Sequence, residues 1–206
     1  MRKDISPDLV VVDPDASWAA RGEDLADELY ELLGVLALHV EHIGSTAVPG
    51  MAAKPVLDFQ VSVRDLEEAE RAFAGPSADR GFALAPYRQD HVPAGRDDDP
   101  ARWTKRLWTR RGSEGLDVNL HVRVVGSPNE RLALLFRDWL RAHPEAVSAY
   151  ARFKQLLAEA VPDLATYADV KDPVVDLVVA AAEPWAQATG WQPSATMTAR
   201  PATRRP

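Results

Sequence analysis

Two stretches of the chain alternate apolar and polar residues with a period of two, the pattern of a strand with one face in a core. From Pro55 to Val63, Leu57, Phe59, Val61 and Val63 share one face, and Val56, Asp58, Gln60 and Ser62 share the other. From Leu116 to Val125, Leu116, Val118, Leu120, Val122 and Val124 lie opposite Asp117, Asn119, His121 and Arg123. If these strands are neighbours, their polar faces line one cleft. Leu36 to Ile43 reads as a further strand. Arg102 to Arg111 reads as an exposed one, joined to the Leu116 strand through a hairpin turn at Gly112-Ser113-Glu114-Gly115.

Helical spacing fills the rest. Asp13-Pro14-Asp15 places carboxylates at a helix start, and Trp18, Leu25, Leu29, Leu32, Leu33 and Leu36 continue it until Gly34 breaks the pattern. Arg64-Asp65 opens a short helix through Phe73, with a break expected at Gly75-Pro76-Ser77. Gln89 to Arg102 gathers Pro93, Gly95, Asp97-Asp98-Asp99 and Pro100 and reads as a loop. Three helices follow, at Asn129–Ala142, Pro144–Ala160 and about Leu164–Ala182, with Pro173 kinking or restarting the last. From Trp185 the periodicity fades. Residues 1–189 read as a single domain and 190–206 as a poorly ordered tail.

Composition narrows the function classes. A chain of 206 residues, 46% hydrophobic and 27% charged, suits one sizeable α/β domain. A net charge of −7 argues against nucleic acid or an anionic membrane as partner. The absence of cysteine excludes disulfides and thiolate sites. No run reaches the roughly 18 apolar residues of a membrane span. Met1-Arg2-Lys3-Asp4 lacks the apolar core of a signal peptide, so a cytoplasmic location is expected.

The candidate chemistry lies where an apolar run meets Gly44-Ser45-Thr46 and the next strand carries Asp58. Backbone N–H groups of a tight turn and a hydroxyl can hold phosphate oxygens, and a carboxylate on the next strand can hold a divalent metal. Lys54 at the start of that strand can neutralise phosphate charge. A P-loop fails on spacing, because five residues separate Gly44 from Gly50 and Met51 follows Gly50. His121 has the chemistry of a general base, a phosphate donor or a metal ligand. Asp117, on the same strand face, offers a second carboxylate. The Asp97-Asp98-Asp99 run reads as solvated loop.

The run His42-Ile43-Gly44-Ser45-Thr46-Ala47-Val48-Pro49-Gly50-Met51-Ala52-Ala53-Lys54-Pro55-Val56-Leu57-Asp58 resembles the signature of the GrpB family. So do Asn119-Leu120-His121-Val122, Phe136-Arg137-Asp138-Trp139-Leu140-Arg141 and the segments 150–154 and 167–171. The resemblance implies a nucleotidyltransferase-like fold, in a family whose members are mostly of unassigned activity and are sometimes fused to dephospho-CoA kinase. It adds Asn119, Arg137, Lys154 and Lys171 as candidate ligand-binding residues. It also exposes a departure. Many active nucleotidyltransferases carry a second carboxylate two residues after the first, where this chain has Gln60, a weaker ligand for a hard cation.

The expectation is therefore an α/β domain with a small mixed sheet and a helical C-terminal portion. Asp58, His121 and Asp117 are the catalytic candidates, and Asp58 and Asp117 the metal candidates. Gly44, Ser45, Thr46, Lys54, Asn119, Arg137, Lys154 and Lys171 would hold the ligand. Two functions stay open. One is an ATP- and Mg²⁺-dependent transferase acting on a small molecule, including activation of a carboxylate for amide formation. The other is a non-catalytic nucleotide- or CoA-sensing module.

Overall fold

The structure is a computed structural model that describes residues 9–112 and 116–193. Five strands form one mixed sheet: β1 (His39–Ile43), β2 (Val56–Val63), β3 (Ala83–Leu84), β4 (Arg106–Arg110) and β5 (Asp117–Val124). Their order is β1-β2-β5-β4-β3. β2 and β5 are parallel, and the remaining neighbours are antiparallel. The helices are α1 (Ser17–Leu33), α2 (Leu66–Asp79), α3 (Pro128–Ala142), α4 (Pro144–Ala160) and α5 (Leu164–Thr189). This is a mixed α/β architecture consistent with a nucleotidyltransferase-like fold. Among the described residues no helix is long and apolar enough to cross a membrane.

The alternation of β2 and β5 decides the layering. Leu57, Phe59, Val61 and Val63 join Val118, Leu120 and Val122 in one core with Trp18, Leu25 and Leu29 of α1 and Leu66, Ala69 and Phe73 of α2. Parallel pairing sets Asp58 beside Asn119, Gln60 beside His121 and Ser62 beside Arg123. The polar faces therefore coincide, since side chains alternate in step across a ladder. A second core joins Val48, Met51 and Ala52 to Phe136, Leu140, Val147, Tyr150 and Val179, tying the segment after β1 to the three C-terminal helices.

Local chemistry explains the element ends. Asp15 Oδ1 accepts from Ser17 N at 2.8 Å at the start of α1, Asp65 Oδ1 from Glu68 N at 2.7 Å in α2, and Asp163 Oδ1 from Thr166 N at 2.8 Å in α5. Gly34 ends α1, and a short 3₁₀ turn then spans Gly34–Leu36, so β1 starts at His39, later than the expected Leu36.

Three further expectations are corrected. α2 does not break at Gly75-Pro76 but runs to Asp79. Pro76 forfeits one N–H bond near the helix end, while buried Phe73 and Ser77 hold that turn and Ser77 Oγ donates to the Phe73 carbonyl. The strand expected to be exposed at 102–111 begins with a 3₁₀ turn at Pro100–Trp103, and Trp108 within β4 is buried against Phe73. α5 continues past Ala182 to Thr189, because Ala182 and Ala186 pack on Leu135 and Trp185 stacks edge-on to His143. The expected hairpin turn at 112–115 and the tail beyond Pro193 fall largely outside the described residues.

Candidate functional site

β1 ends at Ile43, whose register partner is Asp58. The next residue, Gly44, turns with φ 70° into a 3₁₀ turn at Ser45–Ala47. An ideal Cβ on Gly44 would lie 2.5 Å from Asp58 Oδ2, so the glycine lets the turn press against the carboxylate. Thr46 Oγ1 donates to the Val56 carbonyl at 2.9 Å and therefore accepts from His42 Nε2 at 3.0 Å. His42 also stacks on Phe59 with ring centroids 5.0 Å apart. Burial and the charges of Arg141 and Arg137 lower its pKa to about 4, so it stays neutral. Thr46 and His42 brace the turn, and Thr46's hydroxyl is committed to that role.

Lysines gather around this turn. Lys154 of α4 is 3% exposed and donates from Nζ to Ser45 Oγ at 2.8 Å. Burial lowers its pKa to about 7, with Lys171 and Lys54 adding repulsion and Asp58 opposing it. Lys171 of α5 and Lys54 at the start of β2 also act on Asp58. Lys54 lies over the Tyr167 ring at 5.7 Å, and Lys154 over Tyr150 at 5.1 Å. The Gly-Ser turn, Asp58 and these lysines thus form one cluster, joined by the Lys154–Ser45 hydrogen bond and by the charges of Lys171 and Lys54 acting on Asp58.

Asp58 Oδ1 accepts from Asn119 Nδ2 at 2.9 Å. Its side chain keeps 29% of its surface exposed. Burial raises its pKa; the Asn119 hydrogen bond and the charges of Lys171, Lys54 and Arg123 work in the opposite sense. His121 Nε2 stands 4.0 Å from Asp58 Oδ1. Its Nδ1 lies 3.4 Å from both Lys105 Nζ and Arg123 Nη2. Burial, then Arg123 and Lys105, hold the His121 pKa well below its ordinary value, so the ring is neutral.

Behind His121 is a buried charge network. Asp90 Oδ1 pairs with Lys105 Nζ at 2.5 Å, and Asp90 Oδ2 accepts from Arg123 Nε and Asn129 Nδ2, each at 2.9 Å. Asp90 is consequently held as a carboxylate far below its usual range, although burial acts against that. Gln60 is fully buried; its Oε1 accepts from Arg123 Nη1 at 2.5 Å and its Nε2 donates to the Glu130 carbonyl at 3.3 Å.

Other expected site residues are occupied elsewhere. Arg137 Nη1 donates to Glu41 Oε2 at 2.7 Å and the His42 carbonyl at 3.0 Å, and its Nε to Asp138 at 2.7 Å. It clamps α3 to β1 and does not join the lysines. Asp117 shares the sheet face but sits opposite Val56, where it accepts from Arg111 Nη1 and, at 3.0 Å, from Gly112 N. Among the described residues no three His, Asp or Glu side chains group to hold a metal. One carboxylate bonded to an amide and ringed by cations does not fit a Mg²⁺ site built from paired carboxylates. A hollow of about 440 Å³ on the opposite sheet face, between Leu25 and Glu28 of α1 and Arg110 of β4, shares no residue with this cluster.

Asp90 and Lys105 were not legible as site residues. Asp90 lies in an irregular loop and Lys105 is one basic residue before a strand, so neither carries a periodic or motif signal.

A family model described as GrpB protein matches residues 8–181. The chain is 34% identical to a dephospho-CoA kinase of Mycolicibacterium paratuberculosis over 89% of its own length and 48% of the relative's. The chain thus spans about half the length of such relatives. It is 32% identical to a UPF0157 protein of Halalkalibacterium halodurans, covering 83% of this chain and 80% of that one. The crystal structure of the conserved protein GrpB from Enterococcus faecalis superposes with a TM-score of 0.68 at 28% identity, over 85% of this chain and 99% of that one. The chain belongs to the GrpB family.

Proposed function

We propose that this protein binds a phosphate-bearing small molecule of the nucleotide or CoA class at the cluster formed by the Gly44-Ser45 turn, Asp58 and the lysines of α4 and α5. One observation carries the reading: buried Lys154 donates to Ser45 Oγ at 2.8 Å, with Lys171 and Lys54 within electrostatic reach. Burying an ammonium costs free energy unless an anion or a donor–acceptor network compensates. Here the other nearby charges are mostly cations, and a phosphate supplies the missing negative charge. Ser45 and Asn119 supply polar contacts, and backbone N–H groups at the turn suit phosphate oxygens. ATP would bind at this site through its phosphates. The kinship with proteins named dephospho-CoA kinase is compatible with a CoA-type ligand.

Mg²⁺-dependent nucleotidyl transfer finds less support in these residues, since Gln60 is sealed between Arg123 and Glu130 and Asp117 is engaged by Arg111. One feature favours transfer chemistry of another kind: a neutral His121 beside Asp58. A transferase would release pyrophosphate, ADP or AMP with its acceptor, a carboxylate awaiting amide formation among them. A binding module would release nothing.

Calorimetry with ATP, CoA, dephospho-CoA and adenosine, each with Mg²⁺ and with EDTA, tests the proposal. Binding of the phosphorylated compounds in EDTA, with adenosine silent, is the expected result. Adenosine binding as tightly as ATP, or no binding at all, would remove the phosphate site.

A further inference from the structure

His121 Nδ1 faces two cationic donors, Lys105 Nζ and Arg123 Nη2, each at 3.4 Å. A guanidinium has no lone pair to offer and does not lose its proton. Nδ1 must therefore accept, and a neutral ring then carries its proton on Nε2. That nitrogen lies 4.0 Å from Asp58 Oδ1.

Two cations do not converge on one imidazole nitrogen without a counter-charge. Asp90 supplies it, with Oδ1 at 2.5 Å from Lys105 Nζ and Oδ2 at 2.9 Å from Arg123 Nε. Asn129 Nδ2 fixes the same Oδ2 at 2.9 Å and also donates to the Trp103 and Thr104 carbonyls at 3.2 Å, tying the carboxylate to α3 and to the chain before β4. Lys105, Arg123 and Asn129 are all buried, so water does not screen the arrangement.

We propose that Asp90 is a positioning residue: by holding Lys105 and Arg123 against His121 Nδ1 it locks the ring as the Nε2–H tautomer, a hydrogen-bond donor presented beside Asp58. An imidazole fixed this way is a donor to a phosphoryl or carbonyl oxygen of the ligand and has no free lone pair at Nε2 for a metal. Only the donation to a ligand rests on the phosphate reading; the tautomer is a property of the ligand-free protein.

Histidine-ring ¹H–¹⁵N correlation spectra of the whole 206-residue chain without ligand at neutral pH test it, with the His121 signals assigned through His121→Gln. The expected pattern is a neutral ring protonated at Nε2. A ring protonated at Nδ1, at both nitrogens, or averaged between tautomers would overturn the proposal. Asp90→Asn should turn the single pattern into an averaged one and weaken ATP binding about ten-fold. An unchanged Nε2–H pattern in that variant would overturn the role of Asp90. If Asp90→Asn does not fold, Lys105→Met removes one of the two donors and carries the same expectation. A locked wild-type ring that averages in Asp90→Asn, in a protein that binds no ATP, would dismiss the phosphate site and uphold the Asp90 assignment.

Discussion

The Lys154 ammonium lies 2.8 Å from the Ser45 hydroxyl, joining α4 to a turn 109 residues earlier in the chain. The contact is built at a cost, because the lysine is buried and two further lysines act on it. Its pKa is about 7 when folded and 10.5 ordinarily. Between those values the unfolded chain holds a proton that the folded one does not, so this group makes stability rise with pH. Lys154→Met should flatten that rise and leave the protein no less stable at neutral pH, since an apolar side chain replaces a buried cation. Denaturant melts from pH 7 to pH 10 check both points.

Gly44 presses close against the Asp58 carboxylate. Gly44→Ala combines a φ of 70° with a Cβ placed 2.5 Å from Asp58 Oδ2. We expect a loss of about 1–3 kcal/mol in urea unfolding. The double variant with Asp58→Ala should recover part of it, because the steric partner is gone while the backbone strain remains. Strict additivity of the two losses would show that the two residues do not meet.

Gln60 provides the metal test. Its side chain is fully buried between Arg123 and the Glu130 carbonyl. Gln60→Asp should leave Mg²⁺ affinity unchanged and cost about 1–3 kcal/mol, through the bond to Glu130 that is lost. Mg²⁺ titration followed by calorimetry, with a thermal melt, reads both. A gain in Mg²⁺ affinity would mean that position 60 reaches the pocket after all.

His42 reports on acid stability. Its pKa falls from 6.5 to about 4 on folding. Below pH 6.5 the unfolded chain takes up a proton that the folded ring refuses, so stability falls as pH drops toward 4. His42→Gln keeps a donor toward Thr46 and removes the titration. Its stability should fall less steeply than the wild type's across that window in equilibrium unfolding.

The alternation in β2 and β5 made the sheet and its polar face readable, since a period of two assigns each side chain to a face before any partner is known. The Gly44-Ser45 turn, Asp58 and Lys154 were readable from the family-like motifs. The fate of Arg137 was not: its position matched the motif, but only the fold shows Glu41 and Asp138 closing around it. Gln60 and Asp117 were placed on the right face and given the wrong freedom, because alternation says nothing of what packs above a strand. In this structure α3 seals Gln60 and Arg111 covers Asp117. Pro76 and Trp185 misled for a related reason: buried neighbours held helix geometry where local residues argued for a break.

Ser45 and Lys154 are proposed to form a phosphate site. It is tested most directly by ATP affinity in EDTA for the wild type, Ser45→Ala, Lys154→Met and Arg152→Met, at low and raised salt. Arg152 is an exposed cation on the same helix and controls for net charge. Binding should weaken with salt, with a loss of about ten- to a hundred-fold for Ser45→Ala and Lys154→Met and with Arg152→Met near wild type. Equal affinity across all four folded proteins would contradict it.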